Sequence, residues 1–300
     1  MTNVKKLLLA FLLSLLLLLS LPAGAAGQTT AFSLSYANGT AGGVVEVFLS
    51  CDENPGFSGA ALNIGFDPDV LQYDGCTTAD GFDPDIFSAV ETEGQLRIAF
   101  TDRQADFYMT GRLLTVRFRI VGETEGDSLS RLTLSAPAGA VADVRYRSAE
   151  CRVTDGGVYI GSSAIHLLPG SAYVLDRERG YVTGIAPQTA PEAFLQQFTG
   201  SPSFSPSGSR YVFTGSAVAA GSERYTVVVT GDLNGDGTLT ASDYLLAKRA
   251  IVLDAELTEI QTLAADVSGD GKLTASDYLL LKKSVLGLGQ AVICDTRGDG

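Results

Sequence analysis

The chain has 300 residues, which is long for one small domain and comfortable for two or three modules of ordinary size. It carries 34 acidic residues against 21 basic ones, for a formal net charge of −13. This acidic balance repels phosphate backbones, so the composition argues against a nucleic-acid partner. We therefore expect several modules that do not bind nucleic acid.

The N-terminal residues have the pattern of a secretory signal peptide. Two lysines precede an apolar run over residues 7–19, and a small-residue segment follows over residues 23–26. We predict that residues 1–26 are removed by cleavage near Ala25 or Ala26. A signal-anchor helix is the alternative, but the apolar run is shorter than the ~20 residues that span a bilayer. Cleavage removes two lysines and changes the formal net charge from −13 to −15. We therefore predict an extracellular protein without a membrane segment. A complex could attach it to a cell surface.

Four cysteines are spread unevenly along the chain, at Cys51, Cys76, Cys151 and Cys294. In an exported protein they could form disulfides, and Cys51 with Cys76 is the pair to test. Burial as free thiols is the alternative. The sequence leaves both open, and the fold is not expected to depend on either.

Residues 30–161 alternate short apolar or period-two runs with turn residues. The predicted strands are Phe32–Tyr36, Val44–Leu49, Ala61–Phe66, Gln95–Phe100 and Leu113–Ile120. Turn sequences such as Asn38-Gly39 and Asp67-Pro68 punctuate this region, and no stretch of full helical length intervenes. We predict an all-β sandwich.

A second, smaller module is predicted over residues 164–229, after a boundary at Ser162 and Ser163. It has strand-like ends and one helical candidate, Pro191–Phe198. Its turn-rich segment over 200–208 is expected to be a loop. We predict a β-rich or α+β spacer module.

An internal repeat begins where the strand Tyr225–Val229 ends. Residues 232–246 align with residues 266–280 at a fixed offset of 34 residues. Each copy starts with an acidic loop that contains glycines and continues as Ala-Ser-Asp-Tyr-Leu-Leu, which is typical of a helix start. The repeat predicts two equivalent loop–helix units in a third module.

The loops have the oxygen donors that calcium requires. Calcium takes about six to eight oxygens, which a loop of this kind supplies from positions 1, 3, 5, 7, 9 and 12, with glycine at position 6. The first loop offers Asp232, Asn234, Asp236, the Thr238 carbonyl, Thr240 and Asp243. The second offers Asp266, Ser268, Asp270, the Lys272 carbonyl, Thr274 and Asp277. A single acidic turn is often only solvated, but two complete copies in register predict two bound Ca²⁺ ions.

Position 12 is aspartate rather than glutamate, and a strand rather than a helix precedes the first loop. In these features residues 230–290 resemble a type I-like dockerin of cellulosome-type assemblies, which implies binding to a cohesin on a scaffoldin. The positions that contact the partner would be Ala241, Ser242, Lys248, Arg249, Ala275, Ser276, Lys282 and Lys283. The basic pairs have a second interpretation, as solvated last turns of helices. Near identity of the repeats implies that either could dock after a half-turn rotation.

Residues 30–161 in turn resemble a cohesin, the receptor module for dockerins. The stretches that carry the resemblance are residues 42–47, 64–71, 113–120 and 155–161. A mainly β, jelly-roll type sandwich is implied, binding a dockerin through one sheet face. Its outward residues would be Gly59, Ala61, Asn63, Arg97, Thr115, Arg117 and Arg119. Arginines on this face would repel the chain's own basic dockerin helices. A carbohydrate-binding module or an immunoglobulin-like spacer is the alternative.

Catalysis is not expected. His166 is the only histidine, lies at a module boundary without a glycine-flanked serine elbow, and is predicted to be at the surface. Direct sugar binding is the rival function. The chain has no tryptophan, although five aromatic residues could form a stacking platform or pack in the core. They are Tyr73, Phe82, Phe87, Phe107 and Tyr108.

Together these patterns predict a secreted, non-catalytic adaptor. Its cohesin would carry a dockerin-bearing protein, while its dockerin, ordered by two Ca²⁺ ions, inserts into a cohesin-bearing scaffoldin. The resemblance implies a polysaccharide-degrading complex. The alternative is a dockerin-borne carbohydrate-binding or spacer module without cohesin activity. Residues 291–300 are a tail or a truncated third repeat.

Overall fold

The computed structural model describes residues 29–122 and 127–288. The predicted signal peptide, Cys294 and the segment 291–300 lie outside these residues. Within the described ranges, no helix is both long and apolar enough to cross a membrane.

Residues 29–160 form strands joined by short turns. The strands are β1 (Thr29–Leu34), β2 (Tyr36–Gly39), β3 (Val44–Glu53), β4 (Gly59–Gly65), β5 (Leu71–Thr78), β6 (Ile86–Thr92), β7 (Gln95–Thr101), β8 (Gly111–Ile120), β9 (Ser128–Ser135), β10 (Val141–Ala142), β11 (Glu150–Thr154) and β12 (Gly156–Ile160). All five predicted strands are present, although the one predicted over Phe32–Tyr36 crosses the break between β1 and β2. β5, β6, β9, β10, β11 and β12 were not predicted.

The strands form two sheets with one buried face each. One sheet has the order β11-β1-β3-β8-β5, and the other contains the order β9-β4-β7-β6 with β10 paired to β4. Alternate residues of β7 are buried, as a half-buried strand requires. The sheets meet through aromatic contacts, with ring centroids 5.6 Å apart for Phe32 and Phe57 and 5.1 Å apart for Phe66 and Phe118. The predicted sandwich is confirmed.

Strands β2 and β12 pair in parallel, with Asn38 opposite Tyr159. The prediction that Asn38-Gly39 is a turn is therefore wrong, because both residues lie in β2. Contacts within the chain place this strand pair in one compact unit with the residues that follow Gly157.

The middle module is a five-stranded sheet with one short helix. Its strands are β13 (Val174–Asp176), β14 (Tyr181–Ile185), β15 (Ser203–Ser205), β16 (Ala217–Ala220) and β17 (Glu223–Val229), in the order β13-β14-β17-β16-β15, and its helix is α1 (Pro191–Leu195). The helix is shorter than predicted, and the segment predicted as a loop contains β15. Phe194 and Phe198 still pack in the module core.

Up to residue 288, where the described part ends, the C-terminal module contains three helices, α2 (Ala241–Leu253), α3 (Glu259–Ala265) and α4 (Ala275–Val285). Helices α2 and α4 follow the two loops as predicted, whereas α3 was not predicted. Their small core also takes in Val228 from β17. This shared residue ties the third module to the second.

The described cysteines Cys51, Cys76 and Cys151 are free thiols. Strand β8 lies between β3 and β5, which carry Cys51 and Cys76, so this pair is not bridged. Burial raises the pKa of Cys51 to about 12, which keeps its thiol protonated.

Candidate functional site

Each acidic loop ends in an aspartate that also caps the following helix. Asp243 Oδ1 accepts the backbone N–H groups of Leu233 and Asn234, both at 3.0 Å. Its Oδ2 accepts from the Thr240 backbone N–H at 2.9 Å and from the Thr240 hydroxyl at 3.0 Å. Thr240 is in turn the N-cap of α2 and forms a capping box with Asp243. The order of the loop is thereby coupled to the start of the helix.

The second loop brings three carboxylates together. In the described part of the chain, Asp266, Asp270 and Asp277 are the one group of at least three potential metal-binding acidic, His or Cys side chains with ligand atoms within 4.8 Å of one another. Burial acts to raise the pKa of Asp277, but hydrogen bonds from Ser268 and Thr274 outweigh it and hold the pKa below its ordinary value. Asp277 is thus an ionised oxygen donor, as a hard cation requires.

The first loop is more deeply buried. Asp232 is 0 % exposed, and its Oδ2 accepts the backbone N–H of Thr214 at 2.8 Å and of Gly237 at 3.0 Å. Burial raises the pKa of Asp232, and the Asp243 carboxylate raises it further, although the Thr214 N–H and other backbone donors act against this. Two acidic groups buried in one loop favour a bound cation, because each charge is costly without a counter-charge.

The donor set fits calcium in both loops. Asp232, Asp243 and Asp277 are fully buried, and the described residues form no salt bridge from Lys or Arg to any of them. The residues at the loop ligand positions supply oxygen donors, which are the ligands that calcium prefers. The hydroxyls of Thr240 and Thr274 accept from Ser242 and Ser276 as helix caps, so their ligand role stays a prediction.

Residues of the middle module hold the first loop in place. Besides the Thr214 bond, the backbone N–H of Gln188 donates to the Gly237 carbonyl at 2.8 Å. A Cβ at Gly237 would lie 2.7 Å from the Val212 carbonyl oxygen. Thr214 was not predicted, because it lies 18 residues from Asp232 and belongs to no local motif.

Helices α2 and α4 each present one exposed stripe. The first stripe consists of Ala241, Ser242, Leu245, Lys248, Arg249 and Val252, and the second of Ala275, Ser276, Leu279, Lys282, Lys283 and Leu286. The residue spacing places each stripe on one helix face. Leu245 and Leu279 are 48 % and 52 % exposed at equivalent repeat positions. These leucines were not predicted as site residues, although the repeated Tyr-Leu-Leu sequence was a signal for them.

The basic pairs of the stripes differ in position along their helices. Lys282 and Lys283 lie in the last turn of α4, whereas α2 continues beyond Arg249 to Leu253 and has no basic residue in its last turn. Two tyrosines at equivalent repeat positions, Tyr244 and Tyr278, stack with ring centroids 5.0 Å apart. The stacking joins the two helices.

Two domain families match the chain. The cohesin domain model matches residues 30–160, and the dockerin type I domain model matches residues 230–286. The chain combines a cohesin with a type I dockerin. Both are non-catalytic docking domains, so this chain has the parts for cellulosome-type docking between proteins. Type I dockerins bind calcium.

Solved cohesin structures resemble part of the chain. CaCohA2 from Clostridium acetobutylicum is 21% identical over 47% of this chain and 96% of that chain, with a TM-score of 0.39. A non-cellulosomal cohesin from the archaeon Archaeoglobus fulgidus is 18% identical over 45% and 92%, with a TM-score of 0.39. The Coh-OlpA–Doc918 complex from Clostridium thermocellum is 16% identical over 44% and 99%, with a TM-score of 0.41. No curated protein matches the chain significantly.

The predicted partner-binding face of the cohesin is not one surface. Asn63 and Arg97 lie opposite each other on the adjacent strands β4 and β7. Arg117 and Arg119, with Thr115, lie on β8, which belongs to the other sheet. The prediction failed because a strand's own sequence does not say which sheet it joins. The arginines do not form one face, so the repulsion expected between such a face and the basic helices of the dockerin no longer follows.

The aromatic residues considered for sugar stacking do not form a platform. Phe82 is 1 % exposed, and its ring centroid lies 5.0 Å from that of Phe107. Tyr73 packs against Phe118, while Phe87 is half-buried. Tyr108 is the strongly exposed member of the five, and core packing explains the others better.

His166 is not at the surface. It is 7 % exposed and stacks on Tyr159 with ring centroids 4.3 Å apart. The prediction was wrong because the module boundary is packed rather than solvated.

Proposed function

We propose that the protein is a secreted, non-catalytic adaptor in a polysaccharide-degrading assembly. Its dockerin binds a cohesin of another protein in the presence of calcium, and its own cohesin holds a dockerin-bearing protein. The presence of both complementary docking domains in one chain supports this function, because one domain can engage each neighbour.

The duplicated stripe on α2 and α4 is the observation that carries the dockerin half of this proposal. Each stripe combines small residues at the helix start with an exposed leucine and a basic pair. Small residues allow a flat partner surface to approach the helix, and the exposed leucine adds apolar area for burial. An apolar residue that is exposed at the same position of both repeats, within a stripe of other exposed residues, is typical of an interaction surface.

Calcium links loop order to the stripes. A bound cation supplies the positive charge that the buried carboxylates of both loops lack. Asp243 and Asp277 hold the N-caps of α2 and α4, next to Ala241 and Ala275 at the start of each stripe. Loss of loop order therefore disturbs the helix start that meets the partner. Calcium-dependent docking follows from this coupling.

For the cohesin we propose the sheet face that contains Asn63 and Arg97. Around them, Ala61 and Ala99 lie opposite each other and leave a low surface on the same face. Such a surface admits a helix, whereas the arginines of β8 belong to the other sheet.

The test uses the full chain, immobilised in calcium and exposed to the proteins secreted by the source organism. Captured proteins are identified by mass spectrometry. We expect cohesin-bearing proteins, released by chelator, and dockerin-bearing proteins as a second class. If no cohesin-bearing protein is retained in calcium, the adaptor function is refuted. If dockerin-bearing proteins alone are missing, the sandwich is a cargo or sugar-binding module.

Matched variants separate the two docking surfaces. Replacing both Leu245 and Leu279 by aspartate should remove the cohesin-bearing class, because a charge on each stripe opposes apolar contact. Val174→Asp, at an exposed apolar residue of the middle module, should not. Arg97→Glu should reduce the dockerin-bearing class, whereas Arg119→Glu on the opposite sheet should leave it unchanged.

A further inference from the structure

The segment that joins the cohesin to the middle module is held by side chains on both sides. The backbone N–H of Ser163 donates to Asp127 Oδ1 at 3.3 Å, and that of Ala164 donates to Glu223 Oε1 at 3.1 Å. The Asn38 side-chain amide donates to the Ala164 carbonyl at 2.9 Å. A segment predicted to be a simple boundary is thus tied to β2 and to β17.

The same pattern continues through residues 163–167, which we call the strap. The Ile165, His166 and Leu167 carbonyls accept from Arg177 Nη2 at 2.7 Å, the Thr199 N–H at 2.9 Å and the Tyr159 hydroxyl at 2.9 Å, respectively. Successive backbone groups of the strap therefore have partners in the β2/β12 pair or in the middle module. A flexible linker would leave such groups to water.

His166 occupies the middle of the strap with its ring buried. The ring lies against Tyr159, and Nε2 is 3.6 Å from Asp127 Oδ2. Both ring nitrogens are buried, and no described residue lies within ordinary hydrogen-bond distance of them, because the contact with Asp127 is slightly longer than that. Because the ring is buried, its charged imidazolium form is disfavoured relative to the neutral ring.

Charged groups surround the ring from three elements. Asp127 precedes β9, Arg177 follows β13, and Glu223 begins β17. Arg177 Nη2 lies 4.0 Å from Asp127 Oδ2, and Nη1 lies 3.5 Å from Glu223 Oε2 and 3.0 Å from the Tyr225 hydroxyl. Arg177 already supplies the cation that both carboxylates share. A second positive charge on His166 would have to compete with it in a buried place.

We propose that His166, Asp127 and Arg177 form an acid-sensitive latch that fixes the strap between the β2/β12 pair and the middle module, and that acidification releases the strap. Burial, and then the Arg177 charge, lower the pKa of His166 below its ordinary 6.5, although Asp127 and Glu223 act in the opposite direction. The ring is neutral while it is buried and takes up a proton more readily when the strap opens.

The direction of the pH effect follows from proton linkage. The opened strap binds more protons than the closed one between the lowered pKa of His166 and 6.5. The latch is therefore at full strength above pH 6.5 and weakens as the pH falls toward the lowered pKa. Within that window the opening equilibrium rises by up to about tenfold per pH unit.

The experiment uses the full chain in excess calcium, with carbon-13 in histidine. Because the chain has one histidine, a single imidazole signal reports on the latch. We expect this signal to titrate with a pKa below 6.5. We also expect the Ser163 and Ala164 amides, corrected for intrinsic exchange, to lose protection on going from pH 7 to pH 5. A pKa at or above 6.5, or unchanged protection, overturns the latch.

His166→Phe is the matched variant, because it keeps a ring for stacking on Tyr159 and cannot take up a proton. Its strap amides should be as protected at pH 5 as at pH 7. Equal loss of protection in both proteins would assign the pH effect to other groups and refute the proposal. Should His166→Phe not fold, His166→Gln provides the same comparison.

Discussion

The two acidic loops have nearly the same sequence and different surroundings. In the loop over 232–243, a Cβ at Gly237 would meet the Val212 carbonyl oxygen at 2.7 Å. In the loop over 266–277, a Cβ at the equivalent Gly271 would have no atom within 4 Å. Both glycines have φ near +80°. The sequence repeat thus specifies the same loop twice, but the middle module packs against only the first of the two turn glycines.

The difference bears on what holds each loop together. The first loop receives hydrogen bonds from Gln188 and Thr214 of the middle module, and these do not depend on metal. In the second loop, backbone N–H groups of the loop itself donate to the Asp266 and Asp277 carboxylates. We therefore expect calcium to matter more for the order of the second loop.

Removing calcium should produce the largest difference in order between the two loops. A site with calcium at about 1,000 times its dissociation constant is stabilised by about 4 kcal/mol. In chelator, we expect the amides of residues 266–277 to lose hydrogen-exchange protection before those of residues 232–243. Strand β17 of the middle module is the internal control and should stay protected. Simultaneous loss in both loops would show that the middle module does not hold the first one.

Replacing each of the two turn glycines by alanine should have the second largest effect, and the loss of stability should differ between the two loops. Both substitutions impose a positive φ on a residue with a Cβ, at a cost of about 1 kcal/mol. Gly237→Ala adds a clash with the Val212 carbonyl, for which overpacking costs about 1–3 kcal/mol more. We expect Gly237→Ala to destabilise the chain by about 2–4 kcal/mol and Gly271→Ala by about 1 kcal/mol. Denaturant unfolding in saturating calcium measures both, and equal losses would contradict the packing difference.

Thr214→Ala should have a smaller effect, confined to the first loop. The Thr214 hydroxyl accepts from the Val229 N–H at 3.0 Å and donates to the Val229 carbonyl at 3.3 Å, which positions the N–H that meets Asp232. Losing these bonds costs about 1 kcal/mol, which corresponds to about fivefold weaker calcium binding at the first site. Titration calorimetry should resolve the change.

The second site supplies the internal reference for this variant, since its affinity should not change. Thr183→Ala, at a half-buried strand residue of the same module, controls for a general loss of stability. A drop at both sites, or none at either, would remove Thr214 as a positioning residue.

Local patterns predicted much of this molecule. The repeat placed α2 and α4 correctly because ligand positions, turn glycine and helix cap lie within a few residues of each other. Strand alternation found β3, β4, β7 and β8 for the same reason. β9 also alternates through Leu132 and Leu134, so its signal was present and was missed. β5, with Gly75 and several polar residues, gives little signal.

What the sequence did not predict depends on contacts between distant residues. Arg117 was placed with Arg97 because alternation tells inward from outward and says nothing about which sheet a strand joins. Asn38-Gly39 has the composition of a turn, but pairing with β12 made it a strand. The burial of His166 and the Thr214 bond to Asp232 arise from neighbours elsewhere in the chain. These are tertiary effects that no local motif encodes.

The two stripes expose corresponding residues of the repeat, whereas the two loops differ in their surroundings. The smallest predicted effect is therefore that of changing one stripe alone. If either stripe can dock, Leu245→Asp or Leu279→Asp alone removes one of two equivalent modes. Affinity for a cohesin should then fall by only about twofold, because the lost factor is statistical and worth about 0.4 kcal/mol. Binding measured by calorimetry for each single variant tests this. If one variant lost more than tenfold in affinity and the other lost none, only one stripe would dock. The difference that the middle module makes between the two loops would then also hold for the surfaces that contact the partner.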